Sequence, residues 1–192
     1  MSKKETTKKS DEKKTKSTSK SDSEKKVKAK SDAAASLEDL LIHGMKDLYW
    51  AENHLLKGLT KMKANASSSK LVKAIEEHYS ETETHIKRLE DAFKAMGEKA
   101  EGEKCDAMAG LLKEAESILE ETKDGAVRDA GIILASQKIE HYEISSYGTL
   151  ATFAKHLGEE EVEKLLRDTL NEEKAANNIL TNLAVNEINT EA

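Results

Sequence analysis

The chain has 192 residues, of which 35% are charged and 4% aromatic, and it contains no proline and a single cysteine. The absence of proline, together with abundant Ala, Leu, Glu and Lys, favours an all-α fold. The lone Cys105 excludes an intramolecular disulfide and a cysteine-based zinc site, so we expect a cytoplasmic protein. The first residues are polar with no apolar run behind them, which predicts neither a secretory signal nor a membrane span.

The N-terminal 35 residues differ in composition from the rest of the chain. Residues 1–32 contain 12 lysines, six acidic residues and 11 serines or threonines, and Val27 is their one large aliphatic side chain after Met1. Because such a stretch buries too little apolar surface to offset its chain entropy, we expect residues 1–35 to be disordered. Residues 36–192 are then predicted to fold as one helical domain.

The tail and the folded part have opposite charges. Residues 1–32 carry a net charge of +6 and the whole chain carries −6, so residues 33–192 carry −12. One interpretation is that the tail contacts DNA or another anionic partner, because lysines release counterions from phosphates. A solubilising tail, or an arm that contacts the acidic body of a neighbouring subunit, is the alternative. The lysines expected to contact DNA are Lys3, Lys4, Lys8, Lys9, Lys13 and Lys14.

Apolar periodicity and helix-ending residues divide the folded part into helices. Ser36, followed three residues later by Asp39, resembles a capping box that opens the first helix, and Gly97 and Gly158 are typical helix-ending glycines. Long helices are predicted at about 37–65, 70–96, 126–157 and 159–188, and a short helix at about 106–121.

The lengths of the connections predict the topology. Short loops join the first long helix to the second and the third to the fourth, so each pair should form an antiparallel hairpin. About 30 residues separate the second long helix from the third, which is enough to travel the length of a bundle. We therefore predict an antiparallel four-helix bundle with one long crossover that carries the extra short helix.

Four glutamates fall on the apolar faces of three predicted long helices. Glu52 lies at the centre of the face of the first helix, Glu140 and Glu143 share one stripe of the third, and Glu173 is central on the fourth. A buried ionised carboxylate is costly unless it is paired with a charge or bound to a metal. The alternative is that each glutamate sits at the edge of its face and reaches solvent.

The second long helix adds histidines at the same height. His78 and His85 lie on its apolar face, and Glu81 lies at the edge of that face. Because mid-helix positions share one height in an antiparallel bundle, these side chains should converge with the glutamates. His78 and Tyr147 are expected beside the ligands, although a core histidine is more often simply satisfied, and His54 is expected to be exposed. The predicted metal ligands are Glu52, Glu81, His85, Glu140, Glu143 and Glu173.

The chemistry of this ligand set predicts the metal. Carboxylate oxygens combined with one or two imidazoles suit iron or manganese. Four carboxylates carry −4 and two divalent ions carry +4, so the charges balance. We therefore expect two divalent metal ions, with iron favoured.

Several segments resemble a known family. "DLYWAENHLLKGL", "EEHYSETETHIKRLE", "CDAMAGLLKEAE", "IEHYEISSYGTL" and "LNEEKAANNILTNLA" closely resemble the YciE/YciF (DUF892) family of bacterial stress-associated proteins, over about residues 36–185. The resemblance implies a ferritin-like fold, a homodimer or higher homo-oligomer, and a site like that of rubrerythrins and bacterioferritins. It also implies metal-ligand roles for Glu52, His85, Glu140, Glu143 and Glu173.

The sequence departs from the general ferritin-like pattern on two helices. Di-iron sites of this class usually carry Glu-x-x-His on two helices. Here the second long helix has Glu81-x-x-x-His85, with Thr82 three residues before His85, and the fourth has Glu173-x-x-Ala176. Such a histidine-poor set is closer to ferritin than to an oxygen-activating enzyme.

Two functions of different classes follow from the sequence. The first is a di-metal redox protein in which Fe(II) is oxidised by dioxygen or peroxide, as in a ferroxidase or peroxidase, with Tyr147 donating an electron or ordering a ligand. The second is a non-enzymatic stress protein whose acidic body forms oligomers and whose tail contacts DNA or another anionic surface.

Overall fold

The computed structural model describes Met1, residues 27–31 and residues 33–192. The chain divides into two units, Met1–Ala33 and Ala34–Ala192, and the described helices all belong to the second. Most of the tail for which disorder is predicted lies outside the described residues. The same is true of the lysines predicted to contact DNA: Lys3, Lys4, Lys8, Lys9, Lys13 and Lys14.

The second unit is all-α, as the sequence predicts. Its main helices are α1 Leu37–Asn65, α2 Ser69–Ala95, α3 Asp106–Glu121, α4 Ala126–Leu157 and α5 Glu160–Leu183. Their bounds confirm the predicted ones to within one residue, except at the C-terminal end of α5. There a π-helical turn, Ala184–Ile188, and the short α6, Asn189–Glu191, replace the predicted single helix. The wider turn seats Ile188 in the core, where it is 3% exposed.

Local signals in the sequence set the helix ends. The Ser36 hydroxyl accepts from the backbone N–H of Asp39 at 3.0 Å, and the Asp39 carboxylate accepts from the N–H of Ser36 at 3.0 Å, so the predicted capping box is present. Gly97 and Gly158 follow α2 and α4 with φ of 72° and 81°. Those left-handed backbone angles are easily adopted only by glycine, which ends both helices.

Four of the helices form a closed ring. α1 packs on α2, α2 on α5, α5 on α4, and α4 on α1. The carboxylate of Asp129, at the start of α4, accepts from the backbone N–H groups of Ser67 and Ser68 at 2.8 and 2.9 Å. These two hydrogen bonds place the start of α4 at the end of the bundle where α1 meets α2. All neighbouring helices are therefore antiparallel, and the chain crosses the full length of the bundle between α2 and α4.

Helix α3 lies within this crossover and packs on the outside of α1 and α4. Near its start, the Cys105 sulfur and the Tyr142 hydroxyl of α4 lie 3.1 Å apart, and farther along Lys61 of α1 reaches Glu116 at 2.9 Å. The predicted four-helix bundle with a helical crossover is thus confirmed. No helix among the described residues combines the length and the apolar character that a membrane span requires.

Candidate metal centre

The apolar core is split into two clusters, one toward each end of the bundle. The first is built around Leu55, Leu59 and Ile139, and the second around Leu48, Leu89 and Phe93. Polar side chains fill the layer between the clusters, at the middle of the four helices. All of the following are at most 6% exposed: Glu52, His78, Thr82, His85, Glu140, Glu143 and Glu173.

Two groups within this layer have the geometry of metal sites. His78, Glu140, Glu143 and Glu173 each offer one ligand atom, and those atoms lie within 4.8 Å of one another. Glu52, His85 and Glu173 form a second such group. Glu173 belongs to both, so the two groups adjoin. We refer to them as the His78 group and the His85 group.

The His85 imidazole is held from both sides. Its Nδ1 atom lies 2.9 Å from Glu173 Oε1 and 3.6 Å from Glu52 Oε1. Its Nε2 atom lies 2.9 Å from Glu172 Oε2. Arg88 donates to both oxygens of Glu172, through Nη2 at 2.8 Å and through Nη1. One ring nitrogen therefore faces the cluster, and the other is engaged by a carboxylate that an arginine fixes in place.

Tyr147 lies beside Glu52 of the His85 group. It is fully buried, and its hydroxyl donates to Glu52 Oε1 at 2.6 Å. The remaining oxygen of Glu52, Oε2, is buried and has no hydrogen-bond partner among the described residues. Tyr147 thus orients Glu52 so that one carboxylate oxygen stays available.

The His78 imidazole contacts the opposite end of the cluster. Its Nε2 atom lies 3.4 Å from Glu140 Oε1 and 3.9 Å from Glu173 Oε2. Its Nδ1 atom lies 3.5 Å from Glu81 Oε2, and the Glu81 side chain is 44% exposed. Glu81 is therefore at the surface end of this contact and belongs to neither group.

Most of the buried polar side-chain atoms without a hydrogen-bond partner in the described part of the chain belong to these two groups. They include both oxygens of Glu143 and of Glu173, both nitrogens of His78, and Nδ1 of His85. The short approach of His85 to Glu173 is not aligned as a hydrogen bond. A buried group without a partner destabilises a fold by about 1–3 kcal/mol. Unpartnered carboxylate oxygens and imidazole nitrogens are the donor atoms that iron and manganese accept, so the residues fit divalent metal ions.

Two of the carboxylates hold their protons strongly. Burial raises the pKa of Glu140 well above its usual range, and the neighbouring Glu173 and Glu52 raise it further, although His78 opposes the shift. Burial likewise raises the pKa of Glu143, helped by the charges of Glu52, Glu173 and Glu140. Glu173 behaves differently: burial disfavours its charge, but His85 and His78 outweigh that effect and lower its pKa.

The histidines also favour the protonated form. Burial alone lowers the pKa of an imidazole, but Glu140, Glu81 and Glu173 raise the pKa of His78 to about 9. Glu173 and Glu52 raise that of His85 to about 11, against the same effect of burial. Without metal, protons therefore supply the positive charge that the clustered carboxylates need.

The structure gathers five of the predicted ligands in the two groups: Glu52, His85, Glu140, Glu143 and Glu173. It adds His78, predicted only as a neighbour of the ligands, and leaves the predicted ligand Glu81 outside both groups. The reason is the wheel position of Glu81, which lies at the edge of its face and reaches solvent. His54 is half-buried rather than exposed, because its ring stacks on Trp50 with centroids 3.7 Å apart.

The support that Arg88 and Glu172 give to His85 does not follow from the sequence pattern. Both side chains are partly exposed, at 22% and 33%, and neither lies on an apolar stripe. Their spacing offers a signal only in retrospect, since Arg88 lies three residues after His85 and Glu172 directly precedes Glu173.

Fold and site together define an all-helical bundle whose core holds two adjoining groups of buried glutamates and histidines that could bind metal. Residues 36–192 match the family described as "Domain of unknown function (DUF892)", and the chain belongs to that family. This confirms the resemblance and is consistent with a ferritin-like fold.

Relatives of the chain cover nearly all of the folded part. Protein YciF of Escherichia coli (strain K12) is 44% identical over 158 residues, which are 82% of this chain and 95% of YciF. The crystal structure of that protein, described as a stress protein, matches with a TM-score of 0.79 and 43% identity over 82% of this chain and 100% of that one. YcfI from Rhodopseudomonas palustris matches with a TM-score of 0.79 and 41% identity over the same shares.

A more distant structure shares the fold. A protein of Xanthomonas campestris pv. campestris matches with a TM-score of 0.61 and 23% identity over 77% of this chain and 91% of that one.

Proposed function

We propose that this protein is a di-metal stress protein of the cytoplasm that oxidises Fe(II) with dioxygen or peroxide. One observation carries the proposal: six buried glutamates and histidines from four helices converge in two adjoining groups, and most of their inward atoms have no partner among the described residues. A fold that only needed stability would fill this layer with apolar side chains, because half-satisfied buried polar clusters are destabilising.

Each group would hold one divalent ion, with iron as the native metal and manganese as the alternative. His78, Glu140 and Glu143 would hold one ion, and His85 and Glu52 the other. Glu173, which belongs to both groups, would be shared. The four glutamates carry −4 when ionised, and two divalent cations neutralise that charge.

Iron bound here would supply one-electron redox chemistry. With peroxide as the oxidant, Fe(II) held by the residues of the two groups would be oxidised to Fe(III) with the loss of one electron per ion, and each hydrogen peroxide would take up two electrons and two protons to give two waters. The cell would thereby lose peroxide and free Fe(II) at once. The description of the Escherichia coli relative as a stress protein supports such a role.

The residues of the chain contribute orientation and protons. The Tyr147 hydroxyl fixes Glu52, and Glu172 with Arg88 fixes His85. Metal binding would release the protons that Glu140, Glu143 and the histidines hold, because ligand atoms must be deprotonated to bind. The direct bond of Tyr147 to a ligand favours an orienting role over electron donation.

Anaerobic titration tests this proposal. Full-length protein purified without chelators is analysed for metal, stripped, loaded with Fe(II), and then exposed to air or to peroxide. We expect about two iron ions per chain by the ligand count and an absorbance change on oxidation that Glu140→Ala removes. The control is Glu114→Ala, which removes an exposed glutamate of α3 that pairs with Lys138. Absence of metal binding by the wild type would contradict the proposal.

The charge of the tail favours a second candidate function. Residues 1–32 carry a net charge of +6 and the remaining residues carry −12. The chain could therefore act as a non-enzymatic stress protein whose tail contacts DNA or another anionic partner. Assembly into a homodimer or higher homo-oligomer would suit either function. The two functions differ in one requirement: only the first needs Glu140 and Glu143.

A further inference from the structure

A small cleft runs from the surface to the His78 group. It lies between α2 and α5, has a volume of about 50 Å³, and is lined at its inner end by His78, Glu140 and Ser136. A volume of roughly 10–15 Å³ holds one water molecule, so the cleft has room for a small cation with some of its water. Larger hollows of about 280 and 390 Å³ lie between α1 and α3 and between α1 and α2, away from the ligands.

The side chain at the inner end of the cleft is prepared to receive a ligand. His78 is 6% exposed, lines the cleft, and has no hydrogen-bond partner for either ring nitrogen among the described residues. Glu81 lines the outer part of the cleft with 44% of its side chain exposed, and it lies 3.5 Å from His78 Nδ1. A carboxylate in contact with solvent, an imidazole and the buried Glu140 thus follow one another inward.

None of these three cavities is lined by a residue of the His85 group. The side chains of Glu52 and His85 are 0% exposed, and the buried Tyr147 covers Glu52. On the remaining side, Arg88 and Glu172 close over His85 Nε2. A cation that enters through the cleft therefore meets the His78 group before the His85 group.

We propose that the cleft between α2 and α5 is the route by which divalent cations reach the centre, and that the His78 group exchanges its ion before the His85 group does. This inference rests on the proposed di-metal function. Glu81 collects the hydrated cation at the mouth. Ala74 and Ile179 set the width of the cleft, since both line it and neither is buried.

Binding kinetics with Co(II) test the route independently of any redox activity. Chelator-stripped full-length protein is mixed anaerobically with Co(II), and the visible absorbance of the bound ion is followed by stopped flow. Ala74→Leu narrows the cleft and is expected to slow binding about tenfold, equivalent to about 1.4 kcal/mol of barrier. Ile179→Ala widens it and is expected to accelerate binding. Glu81→Gln is expected to slow binding about two- to fivefold, because it removes a steering charge.

Matched controls separate access from other effects. Glu83→Gln removes the same charge from an exposed position of α2 outside the cleft and should bind at the wild-type rate. Isothermal titration should give the same Co(II) stoichiometry for all cleft variants and the wild type. A chelator should then remove the two ions in two phases, with the fast phase slowed by Ala74→Leu.

Three results would each overturn a different part of the proposal. Equal binding rates for Ala74→Leu, Ile179→Ala and wild type would overturn the route while leaving the metal centre intact. Release of both ions in a single phase would overturn the order of exchange. Absence of Co(II) binding by wild type would overturn the proposed function and this inference with it.

Discussion

The Nε2 atom of His85 lies 2.9 Å from Glu172 Oε2, and this contact decides which face of the imidazole is free. Arg88 holds Glu172 and is the largest cause of its lowered pKa, so Glu172 is an acceptor and His85 Nε2 carries the proton. Nδ1 is then the atom left for the interior, where Glu52 and Glu173 lie. Carboxylates that orient metal-binding histidines in this way support the affinity of many metal sites.

The Glu172→Gln substitution tests this support. It keeps the size of the side chain but removes the charge that polarises His85, so we expect Mn(II) affinity to fall about 10- to 100-fold, as is common for such partners. Isothermal titration at fixed pH measures the Mn(II) affinity of the variant and of wild type. Glu163→Gln is the matched control, because Glu163 also lies on α5 and pairs with an arginine, Arg167, at 2.6 Å without touching the centre. Equal losses in both variants would contradict a specific role for Glu172.

The fold could be predicted from the sequence because its signals are local. The Ser36 and Asp39 capping pair, Gly97 and Gly158 each act through backbone geometry within a few residues, and the helix bounds follow from them. The connection that fixes the start of α4 is different. Asp129 accepts hydrogen bonds from Ser67 and Ser68, which lie about 60 positions earlier in the chain. The residues next to Asp129 in the sequence therefore do not indicate this contact.

The grouping of buried glutamates could be predicted because charged residues are unusual on an apolar helix face and are therefore easy to notice. Glu140 and Glu143 interrupt an apolar stripe, and such an interruption is visible on a helical wheel. His78 was predicted only as a neighbour of the ligands and Glu81 as a ligand, although the helical wheel already placed His78 on the apolar face of α2 and Glu81 at the edge of that face. The supporting role of Arg88 and Glu172 could not be predicted, since 35% of the chain is charged and two partly exposed charged side chains do not stand out.

The tail prediction concerns residues 1–32. If their lysines contact DNA through roughly six phosphates, affinity should fall about a thousandfold between 50 and 200 mM salt. Gel shifts with full-length protein and with a variant lacking residues 1–32 measure both the binding and its salt dependence. Equal retardation of DNA by the two forms, or none by either, would remove the tail from consideration as a DNA-binding arm.

Glu143 offers the clearest test of strain in the metal-free protein. It is fully buried, both of its oxygens lack partners in the described part of the chain, and burial raises its pKa. Replacing a buried polar group that lacks partners by a well-packed apolar one removes a desolvation penalty of about 1–3 kcal/mol. We therefore expect Glu143→Leu to melt at or above the wild-type temperature in EDTA. Glu173→Leu should not share this gain, because His85 and His78 lower the pKa of Glu173, and the substitution would remove the carboxylate that pairs with the charge of His85.

Bound metal should reverse the order of the melting temperatures of wild type and Glu143→Leu. An ion that binds only the folded state stabilises it by about 4 kcal/mol at a thousand times its dissociation constant. Wild type should gain this increase with Mn(II), and Glu143→Leu should lose most of it, as judged by thermal melts with EDTA and with Mn(II). A Glu143→Leu variant that responds to Mn(II) as wild type does would show that Glu143 is not a ligand.

The metal-free protein should become less stable as the pH rises from about 4.5 to 9. The pKa of His78 is raised from 6.5 to about 9, so the stability it contributes is present below pH 6.5 and is lost as the pH passes 9. The raised pKa values of Glu140 and Glu143 act in the same direction, because above pH 4.5 the unfolded chain ionises while the folded one keeps its protons. Each proton held only by the folded state makes the free energy of unfolding fall by about 1.4 kcal/mol per pH unit.

The metal-bound protein should show the opposite trend. Ions compete with those same protons, so the rise in melting temperature caused by Mn(II) should grow with pH over the same range. Chemical denaturation of EDTA-treated protein at several pH values measures the first trend, and melts with Mn(II) measure the second. Glu143→Leu removes one of the retained protons and should flatten the slope of the metal-free protein. A metal-free protein that grows more stable between pH 5 and 8 would mean that the cluster does not hold protons in the folded state.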